Sequence, residues 1–375
     1  MSSWSSVVCL LLDVFFESSL LFALSRFGTR YDALEKDKDD HILSFAKVTL
    51  VGESTLSEEN SRGLLACISV RFGLEFKDDK ESRDLALHQV EWHMRLCLEA
   101  TSGFDKLVTI SPSEPLLAEA ACELLQKTTT NPVRHLAQHS DLNCIDRGRR
   151  GELIAALILM QARDHAAKDK RWISVSDFMK ALLPSTSYET LSTSMPILWR
   201  AGEQMTFSET FKDYGMWFNH VIKVESSEML SAGNLWKFLT RGAMIVCKDN
   251  QVGVDIVLPA CLVNEKLSKA TVTAIFIQVK NATRYKLKID RGLLGAMDPF
   301  ALGLFSEDET PHPVIRMVLA LASDANGVRF PPPRTRPSHH QQNTLFWTVL
   351  DRVTQSDRFP RLVQSGQFSP AGCLM

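Results

Sequence analysis

The spacing of hydrophobic positions changes partway along the second half of the chain. Over residues 145–170 (IDRGRRGELIAALILMQARDHAAKDK) the apolar side chains recur at helical intervals, and residues 229–240 (MLSAGNLWKFLT) do so again. From there the period shortens to two. Residues 243–247, 252–258 and 272–279 form three β-branched runs separated by turn-like segments, and KDNQ between the first two suits a tight hairpin. Residues 293–304 predict a helix interrupted at Pro299, and 314–322 (VIRMVLALA) a last buried strand. FPPPRTRP at 330–337 predicts a stiff extended segment. The tail beyond 338, with Phe346 and Trp347, is expected to pack as a short helix. The order helix, three strands, helix, strand predicts an α/β unit on a small mixed sheet.

The front of the chain is patterned differently. LLACISVRFG at 64–73 predicts a core helix or strand, and residues 85–101 have helical spacing. Residues 107–110 are strand-like and run into SPSEPLLAEAACELL, where Ser113 is a candidate N-cap and Pro115 fits a first helical turn. Charge-dense stretches at 31–42 and 76–84 predict solvated loops or helix ends. The expected organisation is a helical or mixed region over 1–130, an α/β domain over 145–335 with an insertion at about 165–228, and a tail over 336–375. Residues 7–24 are apolar, but Asp13 and Glu17 interrupt them, no basic residue precedes them and no A-x-A pattern follows. A buried helix is therefore expected there, not a membrane span.

Charge sharpens this division. Residues 1–140 carry 14 Lys+Arg against 21 Asp+Glu, a net of −7, and residues 141–375 carry 28 against 23, a net of +5. A basic back half is compatible with a polyanion partner. The eight cysteines include no C-x-x-C pair, so a zinc cluster or secreted disulfide framework is not expected, and reduced thiols in the cytoplasm or nucleus are. The sequence contains no G-x-x-x-x-G-K-[ST] phosphate loop and no G-x-G-x-x-G.

Candidate chemistry concentrates in VGVDIVLP and AIFIQVKN. Residues two apart on a strand share a face, so Gln278 and Lys280 lie together. If the two strands are neighbours, Asp255 joins them. A carboxylate, an amide oxygen and an ammonium group at one spot suit a hard cation such as Mg²⁺ acting on a phosphate. The same residues taken singly are also compatible with a strand cap and a solvated strand face.

The pattern Asp255, then Gln278-Val279-Lys280, on strands inside helix–strand–strand–strand–helix–strand, resembles the PD-(D/E)XK (restriction-endonuclease-like) nuclease superfamily. That resemblance implies an αβββαβ core and metal-dependent hydrolysis of phosphodiesters. DNA is the expected substrate ahead of RNA, with Asp255 and Gln278 as metal ligands and Lys280 beside the attacking water. Gln278 departs from the usual Glu or Asp and removes one negative ligand. The superfamily's acid on the preceding helix is matched best by Glu152, with Glu225 and Glu228 as rivals. More loosely, SPSEPLLAEAA, RRGELIAALILMQARD, GMWFNHVIKV, GNLWKFLTRGAMIVCKDNQ and GVDIVLPACL resemble fungal proteins of the Crinkler type, which pair an NTPase-like front with a nuclease-like C-terminal domain. An effector-, toxin- or transposon-related nuclease is what that likeness implies, one that could be delivered into a host cell if it is an effector, with the front as a remnant lacking its phosphate loop. A catalytically inactive fold that binds nucleic acid or protein is the alternative.

Arg147, Arg149 and Arg150 are candidates for gripping phosphates just before the helix, although a solvated helix start is often equally basic. Trp217 and Phe218 could stack on a base, but beside Met216 they fit a core better.

Overall fold

The computed structural model describes residues 36–57, 59–103, 105–128, 135–136, 150–167, 172–196, 205–249, 251–280, 291–306, 311–321, 327–329 and 346–352. Its front comprises α1 (Lys36–Val51), α2 (Ser61–Phe72), α3 (Lys80–Trp92), the antiparallel hairpin β1 (Leu96–Ala100) and β2 (Leu107–Ile110), and α4 (Pro115–Lys127). Asn60 accepts from the Gly63 N–H and starts α2. Gly73, at φ +58°, ends it in the left-handed conformation that glycine adopts at little cost.

The helical spacing over 85–101 is split in the structure. The helix stops at Trp92, Met94 has φ +59°, and a strand begins at Leu96. The cause is tertiary. The buried Arg95 guanidinium donates to the hydroxyls of Thr109 and Ser111 and to the carbonyls of Leu74 and Thr109. Those bonds hold the segment against β2, because an unsatisfied buried guanidinium would cost far more than a broken helical pattern.

The second half runs α5 (Arg150–Ala167), β3 (Ile173–Ser174), α6 (Val175–Leu182), α7 (Ser185–Ser192), α8 (Phe207–Thr210), β4 (Tyr214–Met216), β5 (His220–Lys223), a 3-10 turn (Ser227–Leu230) and α9 (Ala232–Thr240). It continues through β6 (Ala243–Val246), β7 (Ile256–Leu262), β8 (Val272–Lys280), α10 (Arg291–Ala296), β9 (Val314–Ala320), β10 (Gly327–Arg329) and β11 (Phe346–Arg352). These strands form one mixed nine-stranded sheet, ordered β10-β11-β9-β8-β7-β4-β3, with β6 also paired to β7 and β5 paired to β6. β6, β7 and β8 are successively antiparallel, and β8 and β9 are parallel across the α10 connection. The protein is thus mixed α/β. The tail differs from expectation: residues 346–352 form a strand parallel to β9, not a helix. An edge strand of a twisted sheet has unpaired backbone groups to offer, and β11 takes them up.

Both faces of the sheet are covered. Met244, Ile256, Ile277 and Met317 pack with residues of α1, α2, α4, α5 and α6, whereas Ile245, Val257, Phe276 and Val314 pack with α9 and α10. The front helices therefore share one continuous core with the sheet. No described helix is long and apolar enough to cross a membrane.

Buried polar groups lock this joint. Arg71 of α2 holds both oxygens of Asp164 on α5 at 2.9 Å and donates to the Asn219 carbonyl at 3.1 Å. Asn219 in turn donates to Glu119 on α4. Arg163 bonds Cys122 Sγ and Asp164 and lies 4.0 Å over the Trp217 ring, whose π face compensates part of its desolvation. Ser113, His220 and Asn219 line up at 2.8 and 2.7 Å, as a nucleophile, base and orienting group would. Yet His220 is fully buried, and burial, then the charges of Arg241 and Arg71, push it down to about 3. Burial and the two guanidinium groups disfavour the imidazolium, and the trio ties the segment before α4 to the start of β5.

Arg71→Met should lower the unfolding free energy by about 2 kcal/mol in urea melts followed by circular dichroism, since half-buried Asp164 loses its bidentate partner and keeps only Arg163. A loss below about 1 kcal/mol would show that water screens the pair as at a surface.

Candidate functional site

Asp255 immediately precedes β7, yet its backbone already belongs to the ladder. Its N–H donates to the Ile277 carbonyl at 2.9 Å, and its carbonyl accepts from the Cys247 N–H at 2.8 Å. The paired register begins at Ile256↔Ile277 and Val246↔Ile256, and Asp255 lies at the bend one residue before it, bonded through its backbone to β8 on one side and to Cys247 on the other. Gln278 shares the β8 face of Phe276, and its amide meets the Asp255 carboxylate there. Lys280 lies two residues beyond Gln278 on the same face, half-buried at the end of β8. The structure thus brings Asp255, Gln278 and Lys280 together.

The contacts are specific. Asp255 Oδ2 accepts from Gln278 Nε2 and, at 2.5 Å, from the Val279 N–H. Burial is the largest influence on the Asp255 carboxyl and pushes it up. The Val279 bond, the Lys280 charge and the Gln278 bond pull it back, and the net is upward.

Glu152 sits in the first turn of α5, where the helix dipole favours an acid, and α5 packs against β8. Burial raises the nearby Cys247 thiol, and the charges of Asp255 and Glu152 raise it further. Glu225 is exposed and pairs with Lys223 at 3.8 Å, and Glu228 is an exposed residue of the 3-10 turn. Arg147 and Arg149 lie outside the described residues, and Arg150 is the first residue of α5. Trp217 and Phe218 are core residues.

Two residues of the site were not singled out from sequence. Cys247 ends the alternating run on β6, and that alternation was the available signal. Gly253, at φ +92°, lets the β6–β7 connection pass against α10: a Cβ there would meet the Ala296 carbonyl oxygen at 2.3 Å. Its importance depends on a contact over 40 residues away in sequence, which no local pattern announces.

Asp255 and the Gln278 amide bring oxygen atoms to one place, whereas α5, which carries Glu152, packs with the residues of the opposite sheet face. Among the described residues there is no group of three or more His, Cys, Asp or Glu that could hold a metal ion.

Residues 56–296 match the model of a family described as a domain of unknown function (DUF8736). The matched span runs from the front helices through α10, across the joint between them and the sheet. No curated protein matches the chain, and no solved structure does.

Asp255→Asn should raise the melting temperature of the metal-free protein at pH 7 by about 2–4 °C, because it removes a buried charge. The folded carboxyl lies above its ordinary value, so wild type carries this penalty only once pH has risen through that raised value. The difference should vanish in melts below pH 4. Gly253→Ala should destabilise by about 2 kcal/mol or more, through both the positive φ and the clash with Ala296. Unchanged denaturant stability would contradict the close approach.

Proposed function

The chain belongs to the DUF8736 family, and we propose that it is a metal-dependent nuclease of the restriction-endonuclease-like type, hydrolysing phosphodiester bonds in DNA. The observation that carries this reading is the convergence of Asp255, Gln278 and Lys280 at the ends of adjacent antiparallel strands. The surrounding order supports it: α9, then β6, β7 and β8 antiparallel in turn, then α10 and the parallel β9.

In this reading Asp255 and the Gln278 carbonyl oxygen would hold Mg²⁺, and Glu152 would join them only by reaching round the sheet from α5. The bound ion supplies Lewis-acid stabilisation of the phosphoryl oxygen and a water of lowered pKa. Lys280 places a positive charge where the phosphate gains negative charge in the transition state, and it orients the attacking water. Gln278 is buried while Asp255 and Lys280 are half-buried, which strengthens both interactions relative to open water. Arg147, Arg149 and Arg150, at and just before the start of α5, would add sequence-independent phosphate contacts.

One observation favours a second reading, a nucleic-acid-binding fold without cleavage. Gln278 brings an amide where an acid would strengthen metal binding, and it spends its N–H on Asp255.

Purified protein should nick plasmid DNA with Mg²⁺ and not with EDTA, and Asp255→Ala or Lys280→Ala should reduce the rate by at least about 100-fold. Wild-type cleavage by both variants would refute the nuclease. Retained DNA binding with no cleavage by any form would select the second reading.

A further inference from the structure

We propose that the outer face of the β1–β2 hairpin is a self-association surface, on which a second copy of this chain packs its own hairpin about a two-fold axis. This goes beyond the reading of Asp255 and does not rest on it. Among the described residues β1 pairs with β2 alone, and every residue of β1 is exposed. Leu96 stands opposite Ile110 and Glu99 opposite Val108, with Leu98 at the register shift between them. Along β2 the exposed positions are Val108 and Ile110, while Leu107 and Thr109 are half-buried. Residues two apart share a face, so Leu96, Leu98, Val108 and Ile110 all turn to solvent on the same side. Leu98 is 60% exposed, and Trp92, which ends α3 four residues before Leu96, is 67% exposed.

A two-stranded ribbon is marginal in water and gains stability from a further layer against its apolar face. Arg95 ties this hairpin to the loop after α2, but the outer face is left open. Its four side chains and Trp92 expose roughly 500 Å² of apolar surface, at the upper end of what a monomer leaves uncovered. Interfaces are about 60% apolar, so such a patch corresponds to about 800 Å² per partner, which is what a stable dimer contact needs. Charge selects the occupant. The ionic groups beside the hairpin are already paired within the chain, Lys106 with Glu99 and Arg83 with Asp78, each at 2.9 Å, and Asp105 accepts from the Thr101 hydroxyl. The face therefore carries no concentrated field for a polyanion or a charged lipid surface to meet. A two-fold contact needs a self-complementary patch, and an apolar face with neutralised charges meets its own copy without like-charge repulsion.

Analytical ultracentrifugation of the full chain in reducing buffer tests this. Wild type should show a monomer–dimer equilibrium with a Kd of about 10 μM or tighter. Leu98 is exposed in the single chain, so Leu98→Lys should keep the circular dichroism spectrum and weaken the dimer at least about 100-fold, and Leu98→Glu should do the same. Mixed in equal amounts, the two variants should recover a dimer with one chain of each, because the axis brings position 98 of one copy near position 98 of the other. Should these variants not fold, Val108→Lys and Val108→Glu serve as the same pair. A chain that stays monomeric up to about 100 μM would overturn the proposal, whether the face is covered by other residues of the chain or kept for a different protein. So would a dimer that Leu98→Lys leaves intact, or one that both variants lose and their mixture does not restore.

Discussion

The antiparallel pairing of β7 with β8 is the constraint on which the rest depends. Six residue pairs, from Ile256↔Ile277 to Cys261↔Val272, place one set of side chains toward α5 and the alternate set toward α9 and α10. A slip of one residue would turn Ile256 and Ile277 out of one core and push Phe276 into it, so burial on both faces fixes the register. With the register fixed, the bend that leads into β7 brings the Asp255 carboxylate to the Gln278 amide and the Val279 N–H. A carboxylate is carried into the sheet by the hydrophobic residues that follow it, and the cost of placing it there is met by Gln278 and Val279.

Much of this arrangement was legible in the sequence because it is written in local alternation. Residues 243–247, 252–258 and 272–279 have the period of strands, and Asp255, Gln278 and Lys280 fall at positions where polar groups interrupt apolar runs. The helix carrying Glu152 was legible for the same reason. What escaped is whatever two distant segments decide together. Residues 85–101 have the spacing of a helix, but Arg95 needs acceptors on β2 and on the loop after α2, and it breaks the helix to reach them. Residues 346–352 are too few to distinguish a helix from a strand, and it is the waiting edge of β9 that makes them one. Gly253 looks like any loop glycine until α10 is laid against it.

The charge contrast between the halves also takes on another aspect. The acidic front is not set apart from the sheet. Through Arg71, Asp164, Asn219 and Glu119, opposite charges and hydrogen bonds from four elements are drawn into the seam between the front helices and the sheet. Charges that pair in such a seam contribute to cohesion and are withdrawn from any field offered to a partner. Net charge by segment therefore says less about the surface here than the same count would in a protein whose halves stood apart.

That seam has a consequence for inheritance. Where a core is continuous, selection acts on its two sides jointly: a change in α2 that disturbs Arg71 is felt by α5 and by the segment leading into β5, not by α2 alone. Such a chain drifts as a whole. Its front cannot be lost, swapped or fused elsewhere without exposing the apolar face of the sheet that α5 only partly covers. The variation this lineage tolerates should accordingly gather at the rim, in the connections, and leave the seam to change only by compensated pairs.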